Sequence, residues 1–306
     1  MEHSDLKDKA FIPVSAAIGG HVLWGFSYMF TRMALQVASP DIQLASRYTL
    51  AFIFMNLLLL TGKFKLSLRD KPLLPILSLG VVDLLYAFFE SYGILYTNAT
   101  YSGVVLAAVP IAGMLLAAVF LKEYPSRKQI FLCIFPIAGV IILTLSGSSL
   151  GIVRPLGVFF LFCTLFSSAS YKTLNRKLSA DYTSFERAYV MIGMSAAAFI
   201  AVSLISERGD FYQLIKPFEN MSFTVATLAL SILCSVLCNI VVNYAAGKMS
   251  VVTLSVYGSV STVCSTFAGV IFLGEPMSLT LLTGSAMIII GVWQVTKAAG
   301  LNTNIS

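Results

Sequence analysis

The sequence predicts an all-α polytopic membrane protein with ten transmembrane helices arranged as two inverted five-helix repeats. Three observations lead there. The 306 residues are 58% hydrophobic and only 11% charged, with a mean hydropathy of +0.86, whereas a soluble domain carries about 25% charged residues. Ten apolar runs follow one another with short loops between them. The two halves of the chain also match each other in order and spacing.

The runs cover residues 11–35, 42–61, 73–96, 102–121, 129–145, 155–174, 186–205, 224–246, 251–273 and 278–296. About 20 apolar residues cover about 30 Å of hydrocarbon, so each run is a candidate span. Lipid cannot satisfy an open backbone, and the alternation of a barrel strand is absent, which leaves helices. The connections carry turn residues: Ser39-Pro40-Asp41, Thr97-Asn98-Ala99-Thr100, Ser146-Gly147-Ser148 and Gly274-Glu275-Pro276. Only 206–223 is long enough to lie on the surface as an extra amphipathic piece. The start, MEHSDLKDKA, enters the first run without a small-residue cleavage site and reads as a cytoplasmic tail.

Charge sets the expected orientation. With the N-terminus inside, the inner tails, loops and helix ends carry fifteen Lys and Arg, Lys65, Arg127, Lys172, Lys177 and Arg187 among them. The outer side carries five: Arg32, Arg47, Arg154, Arg208 and Lys216. Over loops this short, that bias orients the chain in an inner (plasma) membrane with both ends cytoplasmic. The basic residues are dispersed, so the net charge of +6 does not point to a nucleic-acid partner.

Tyr92 matches Tyr244, Leu121-Lys122-Glu123 matches Leu273-Gly274-Glu275, and Gly139-Val140 matches Gly291-Val292, all at an offset of 152. Arg47 pairs with Arg187, and Ser27-Tyr28 with Ser170-Tyr171, at slightly smaller offsets. The expected units are 11–146 and 155–297, each of five spans. An odd number of spans makes the second unit enter the membrane from the opposite side, as in secondary transporters that hold substrate near the midplane. Trp24-Gly25 followed by Arg32, then Arg47, Pro110 and Leu121-Lys122-Glu123, resembles the first repeat of the EamA-type branch of the drug/metabolite transporter superfamily. Phe272-Leu273-Gly274-Glu275-Pro276 and Gly291 resemble the second repeat, with Thr262 departing from the proline at Pro110. The resemblance covers essentially the whole chain. It implies movement of a small metabolite, amino acid, nucleoside, vitamin or organic cation across the membrane.

No catalytic constellation is present, and no cofactor, nucleotide-binding or metal-ligand motif stands out. The five cysteines lie in apolar runs without metal-site spacing and read as packing residues. The chemistry gathers on the third run. Asp83 and Glu90 are the only two of fourteen acidic residues deep inside an apolar segment. At 100° per residue, Asp83, Tyr86 and Glu90 share one helical face. A carboxylate at that depth costs a few kcal/mol and usually marks an ion or substrate path. The alternative is structural pairing, of Asp83 with His21 and of Glu90 with Arg32 or Arg47.

His21, Trp24 and Tyr28 repeat the i, i+3, i+7 spacing on the first run and suit a cationic or zwitterionic ligand through aromatic faces beside an acid. Asn239 and Asn243, with Ser235, form a polar stripe on the eighth run; Tyr257, Ser261 and Tyr171 rank lower. Glu123 and Glu275 read as caps for the following helices.

The sequence-based expectation is a secondary active transporter of an amino acid or organic cation, with Glu90 or Asp83 exchanging protons against substrate. An uncoupled facilitator, and a non-transporting receptor or assembly protein, are the competing readings. Cysteine labelling is expected to find positions near Lys65, Arg127 and Lys177 inside, and positions near Thr97 and Ser148 outside. Labelling of the Lys65 region from the outside would overturn the inverted repeat.

Overall fold

The structure, a computed structural model, describes residues 2–69, 71–96, 106, 109–124, 127–146, 154–273 and 279–302. The Thr97–Thr100 and Gly274–Pro276 connections, with Glu275, lie outside the described residues. Ten helices carry the described chain: α1 (Glu2–Leu35), α2 (Pro40–Leu60), α3 (Leu73–Tyr96), α4 (Val109–Phe120), α5 (Arg127–Ser146), α6 (Pro155–Leu178), α7 (Ser184–Ser206), α8 (Met221–Ala246), α9 (Val251–Leu273) and α10 (Leu279–Asn302). Among the described residues, α2, α3, α6, α7 and α8 contain stretches long and apolar enough to cross a membrane. Shorter apolar segments occur within α4, α9 and α10. The described chain is therefore all-helical and apolar enough to enter a bilayer.

Local signals place the helix starts. Ser39 caps α2 ahead of Pro40, whose missing N–H is among those a first turn leaves unpaired anyway. Pro155 opens α6 in the same way. Thr183 and Glu186 form a reciprocal capping box at the start of α7. Glu186 Oε1 also accepts from the Ser67 amide at 3.0 Å, and Oε2 pairs with Lys71 Nζ at 2.8 Å, so one carboxylate ties the α2–α3 connection to α7. The 206–223 connection holds a short helical turn, Tyr212–Ile215, then a tighter one, Lys216–Glu219. Phe211, Tyr212, Ile215 and Met221 are exposed there, in keeping with a surface-lying piece.

The helices pack in a regular pattern. α1 lies against α8 and α9, and α6 lies against α3 and α4; α2 meets α7, α4 meets α9, and α5 meets α10. Small residues allow these approaches. The thiols of Cys234 and Cys238 donate to the Leu23 and Gly20 carbonyls at 3.3 and 3.0 Å, joining α8 to α1. Along the α3–α6 seam, Phe88, Phe89, Tyr92 and Tyr96 surround Phe160. Within α8, residues Leu230–Leu237 wind as a π-helix, which rotates the residues after it relative to those before.

Glu123 differs from its expected role as a helix cap. Its Oε1 instead accepts from Arg176 Nε at 3.3 Å, linking the end of α4 to the end of α6. Three residues separate Glu123 from the start of α5 at Arg127, and the carboxylate meets the Arg176 guanidinium rather than helix amides.

At the α5–α10 crossing, a Cβ on Gly139 would stand 2.7 Å from the Gly284 carbonyl oxygen and 3.0 Å from the Ile288 nitrogen. Gly139→Ala is therefore expected to cost about 1–3 kcal/mol by overpacking. Gly19→Ala, which meets nothing within 4 Å, should be neutral or gain up to about 1 kcal/mol from helix propensity. Melting curves of the two purified variants check the contrast.

Candidate substrate site

A cavity of about 80 Å³ lies where α1, α2, α3, α8 and α9 converge. Its walls include Trp24, Arg47, Asp83, Tyr86, Glu90 and Asn239, with Ser27, Ser91 and Ser261 among the smaller polar groups. The face deduced for α3 thus forms one wall. Tyr86 donates to Glu90 Oε1 at 2.6 Å. Asp83 is only 7% exposed, and Ser195 Oγ of α7 donates to its Oδ2 at 3.5 Å.

Arg47 stands opposite, within electrostatic range of both acids. Its Nε donates to Ser235 Oγ at 2.8 Å, and Ser231 Oγ donates back to the Arg47 carbonyl at 2.9 Å. The guanidinium also lies 5.4 Å from the Tyr48 ring centroid. A cation held to α8 by Ser235, with Ser231 bonded to its backbone, therefore faces two carboxyl groups across a space large enough for water.

The pairing of Asp83 with His21 is not what the structure holds. His21 Nδ1 bonds the Ala17 carbonyl at 2.7 Å, and Nε2 has no hydrogen-bond partner among the described residues. A residue one turn back on its own helix captures the ring, which an i, i+3, i+7 face could not reveal. Trp24 does reach the cavity, with His21 5.4 Å and Tyr171 6.5 Å from its ring in edge-on contact. The side chains of Tyr28 and Arg32 lie outside the described residues.

The α8 stripe divides. Asn239 lines the cavity, and its Oδ1 has no partner among the described residues. Asn243 belongs elsewhere: its Oδ1 accepts from Tyr171 at 2.9 Å and from Asn175. Arg187, 2% exposed, completes this network by donating to the Asn175 carbonyl at 2.5 Å, the Asn243 carbonyl at 2.7 Å and Asn175 Oδ1. Asn243 and Tyr171 therefore lock α6, α7 and α8 together rather than line the cavity. Tyr257 is fully buried in the α9 core and lies outside the cavity wall. Lys172 and Arg187, counted from sequence as surface charges, are both buried. Each lies within a turn of the edge of its apolar run, 155–174 and 186–205, so position along the sequence alone does not mark it as buried.

The model of the EamA-like transporter family matches the chain twice, over residues 11–145 and 155–297. The chain belongs to the EamA-like transporter family. An uncharacterized transporter of Bacillus subtilis (strain 168), YcxC, is 31% identical over 281 residues, covering 90% of each chain. An uncharacterized transporter of Archaeoglobus fulgidus is 22% identical over 278 residues, 90% of this chain and 95% of its own. A protein of known crystal structure superimposes with a TM-score of 0.78 at 18% identity, over 94% of this chain and 97% of its own, which establishes a shared fold. This EamA-family chain is thus a multi-pass membrane transporter.

The two asparagines separate structure from site. Asn243→Ala should lower stability by about 1–3 kcal/mol, because buried donors lose their acceptor. Asn239→Ala should leave the melting temperature nearly unchanged. Thermal unfolding of both purified variants measures the difference.

Proposed function

We propose that the chain is a proton-coupled secondary transporter of a small organic metabolite carrying an ammonium group, an amino acid or an organic cation. The observation that carries this reading is the shared wall of Asp83, Tyr86 and Glu90 in a cavity with Trp24. Two carboxyl groups on one helical face repel if both are charged, so a proton or a cationic ligand can serve as the alternative partner for the same site. The aromatic edge of Trp24 adds a surface that favours cations.

Ten spans in two inverted repeats, units 11–146 and 155–297, and cytoplasmic ends complete the proposal. The double family match supports it. So does the exchange symmetry of the packing, in which α1 against α8 and α9 parallels α6 against α3 and α4. Inverted halves of this kind rock about a fixed central site. An imposed pH gradient supplies the drive, and about tenfold accumulation per pH unit is the ceiling at one proton per substrate.

Proteoliposome uptake of amino acids, polyamines and quaternary amines under an imposed pH gradient tests the coupling. Glu90→Gln and Asp83→Asn are each expected to fold, to retain some binding and to lose gradient-driven accumulation. The double variant should cost little more than either single change. Undiminished gradient-driven accumulation by Glu90→Gln would overturn its coupling role. A fall in melting temperature with binding intact would assign Glu90 to pairing a neighbouring cation, a loss worth roughly 3–5 kcal/mol.

A further inference from the structure

Three polar side chains of the cavity wall have their protons committed to their own helices. Ser27 Oγ donates to the Trp24 carbonyl at 2.6 Å, and Ser261 Oγ donates to the Gly258 carbonyl at 2.7 Å. A hydroxyl has one proton to give, so these two residues of the wall offer a ligand accepting lone pairs only. Asn239 follows the same rule. Its Nδ2 donates to the Ser235 carbonyl at 2.7 Å, and a carbonyl can only accept, so the amide cannot be turned round. Oδ1 is left as an acceptor without a partner among the described residues, on a side chain that is 5% exposed and lines the cavity.

All three bonds run back along a single helix, three or four residues away. They therefore travel with α1, α8 and α9, and the accepting groups stay accepting when those helices move apart. Tyr86 also gives its proton within one helix, to Glu90. Of the charged side chains on the wall, Arg47 is the one cation, and its Nε is taken by Ser235. Such a wall asks its ligand for N–H or O–H protons. A cation whose nitrogen carries hydrogens meets the acids and the neutral oxygens together, whereas a quaternary one buries the oxygens unpaired, which is costly. Trp24 makes no such distinction, because an aromatic face attracts either kind.

We propose that Ser27, Asn239 and Ser261 are specificity-determining residues, which admit cations bearing N–H protons and exclude quaternary ammonium compounds. The assignment rests on the transporter reading above, and it separates two kinds of cation that the charge of the acids treats alike. A site that hydrogen-bonds its ligand rejects an analogue without the donor far more strongly than an apolar pocket rejects an added methyl.

The chain has two tryptophans, so Trp293→Phe leaves Trp24 as a fluorescent reporter on the cavity wall. Purified full-length protein in this background is titrated with isoamylamine, cadaverine and L-leucine, and with the same three compounds permethylated at nitrogen. At least one parent compound should change Trp24 emission saturably, with its permethylated form binding more weakly by a factor of about ten or more. Asn239→Leu keeps roughly the volume of the side chain and removes the acceptor. It should weaken the parent toward the level of the permethylated form and leave the latter unchanged, whereas a role in size exclusion alone would not weaken the parent. Ser27→Ala combined with Ser261→Ala should act in the same direction and serves if Asn239→Leu fails to fold.

Equal binding of each parent and its permethylated form, discrimination that survives all of these changes, or no response to any of the six would overturn the assignment. So would a saturable change in Trp24 emission when sodium chloride replaces potassium chloride, which would give these oxygens to a metal ion. Uptake of the six compounds into proteoliposomes under a pH gradient keeps the two readings apart. Permethylated compounds taken up as well as their parents would remove the specificity and leave the transporter standing. Discrimination in the titration with no uptake of any compound would keep the acceptors and count against the transporter.

Discussion

A guanidinium inside a helical bundle has to be met by oxygen, and this chain meets Arg187 with neutral carbonyls instead of a carboxylate. That choice shapes the bundle around it. Asn175 and Asn243 must present their backbone and side-chain oxygens toward one point, which fixes the facing of α6 and α8 against α7. Tyr171 is drawn into the same lattice, and its ring then supports Trp24 at the edge of the cavity. The distance between a structural charge and the candidate site is thus a few side chains. In an environment without water, satisfying one cation orders much of the polar interior.

Arg47 is handled differently. In the proposed repeat it pairs with Arg187, yet its Nε is held by a hydroxyl, and it faces two acids across open space. One arginine acts as a rivet and the other as a wall of a cavity. At the proposed offset of 152, the α8 positions matching Asp83 and Glu90 are Ser235 and Val242, so the acids belong to the first half alone.

The membrane class and the all-helical fold were legible because each depends on averages over many residues, and a few wrong assignments do not disturb an average. The α3 face was legible because helical phase follows from numbering alone, and Asp83, Tyr86 and Glu90 do share a wall. The α8 stripe shows where phase stops helping. A π-helical stretch at Leu230–Leu237 lies just before Asn239, and the contacts available to Asn243 come from α6 and α7, which numbering along α8 does not contain. Lys172 shows a second limit. Its position near the end of a run reads as a surface charge, and only the packing of α9, with glycine at 258, shows that it points inward. Ser195, in an apolar run of small residues, carries no sign in sequence that its hydroxyl meets Asp83.

The cavity holds about 80 Å³, well below the 300–1,000 Å³ of a site that encloses a small organic molecule. The arrangement seen is therefore a contracted one, with room for a few waters. For a solute to occupy the proposed site, α1, α2, α3, α8 and α9, which converge on the cavity, would have to separate.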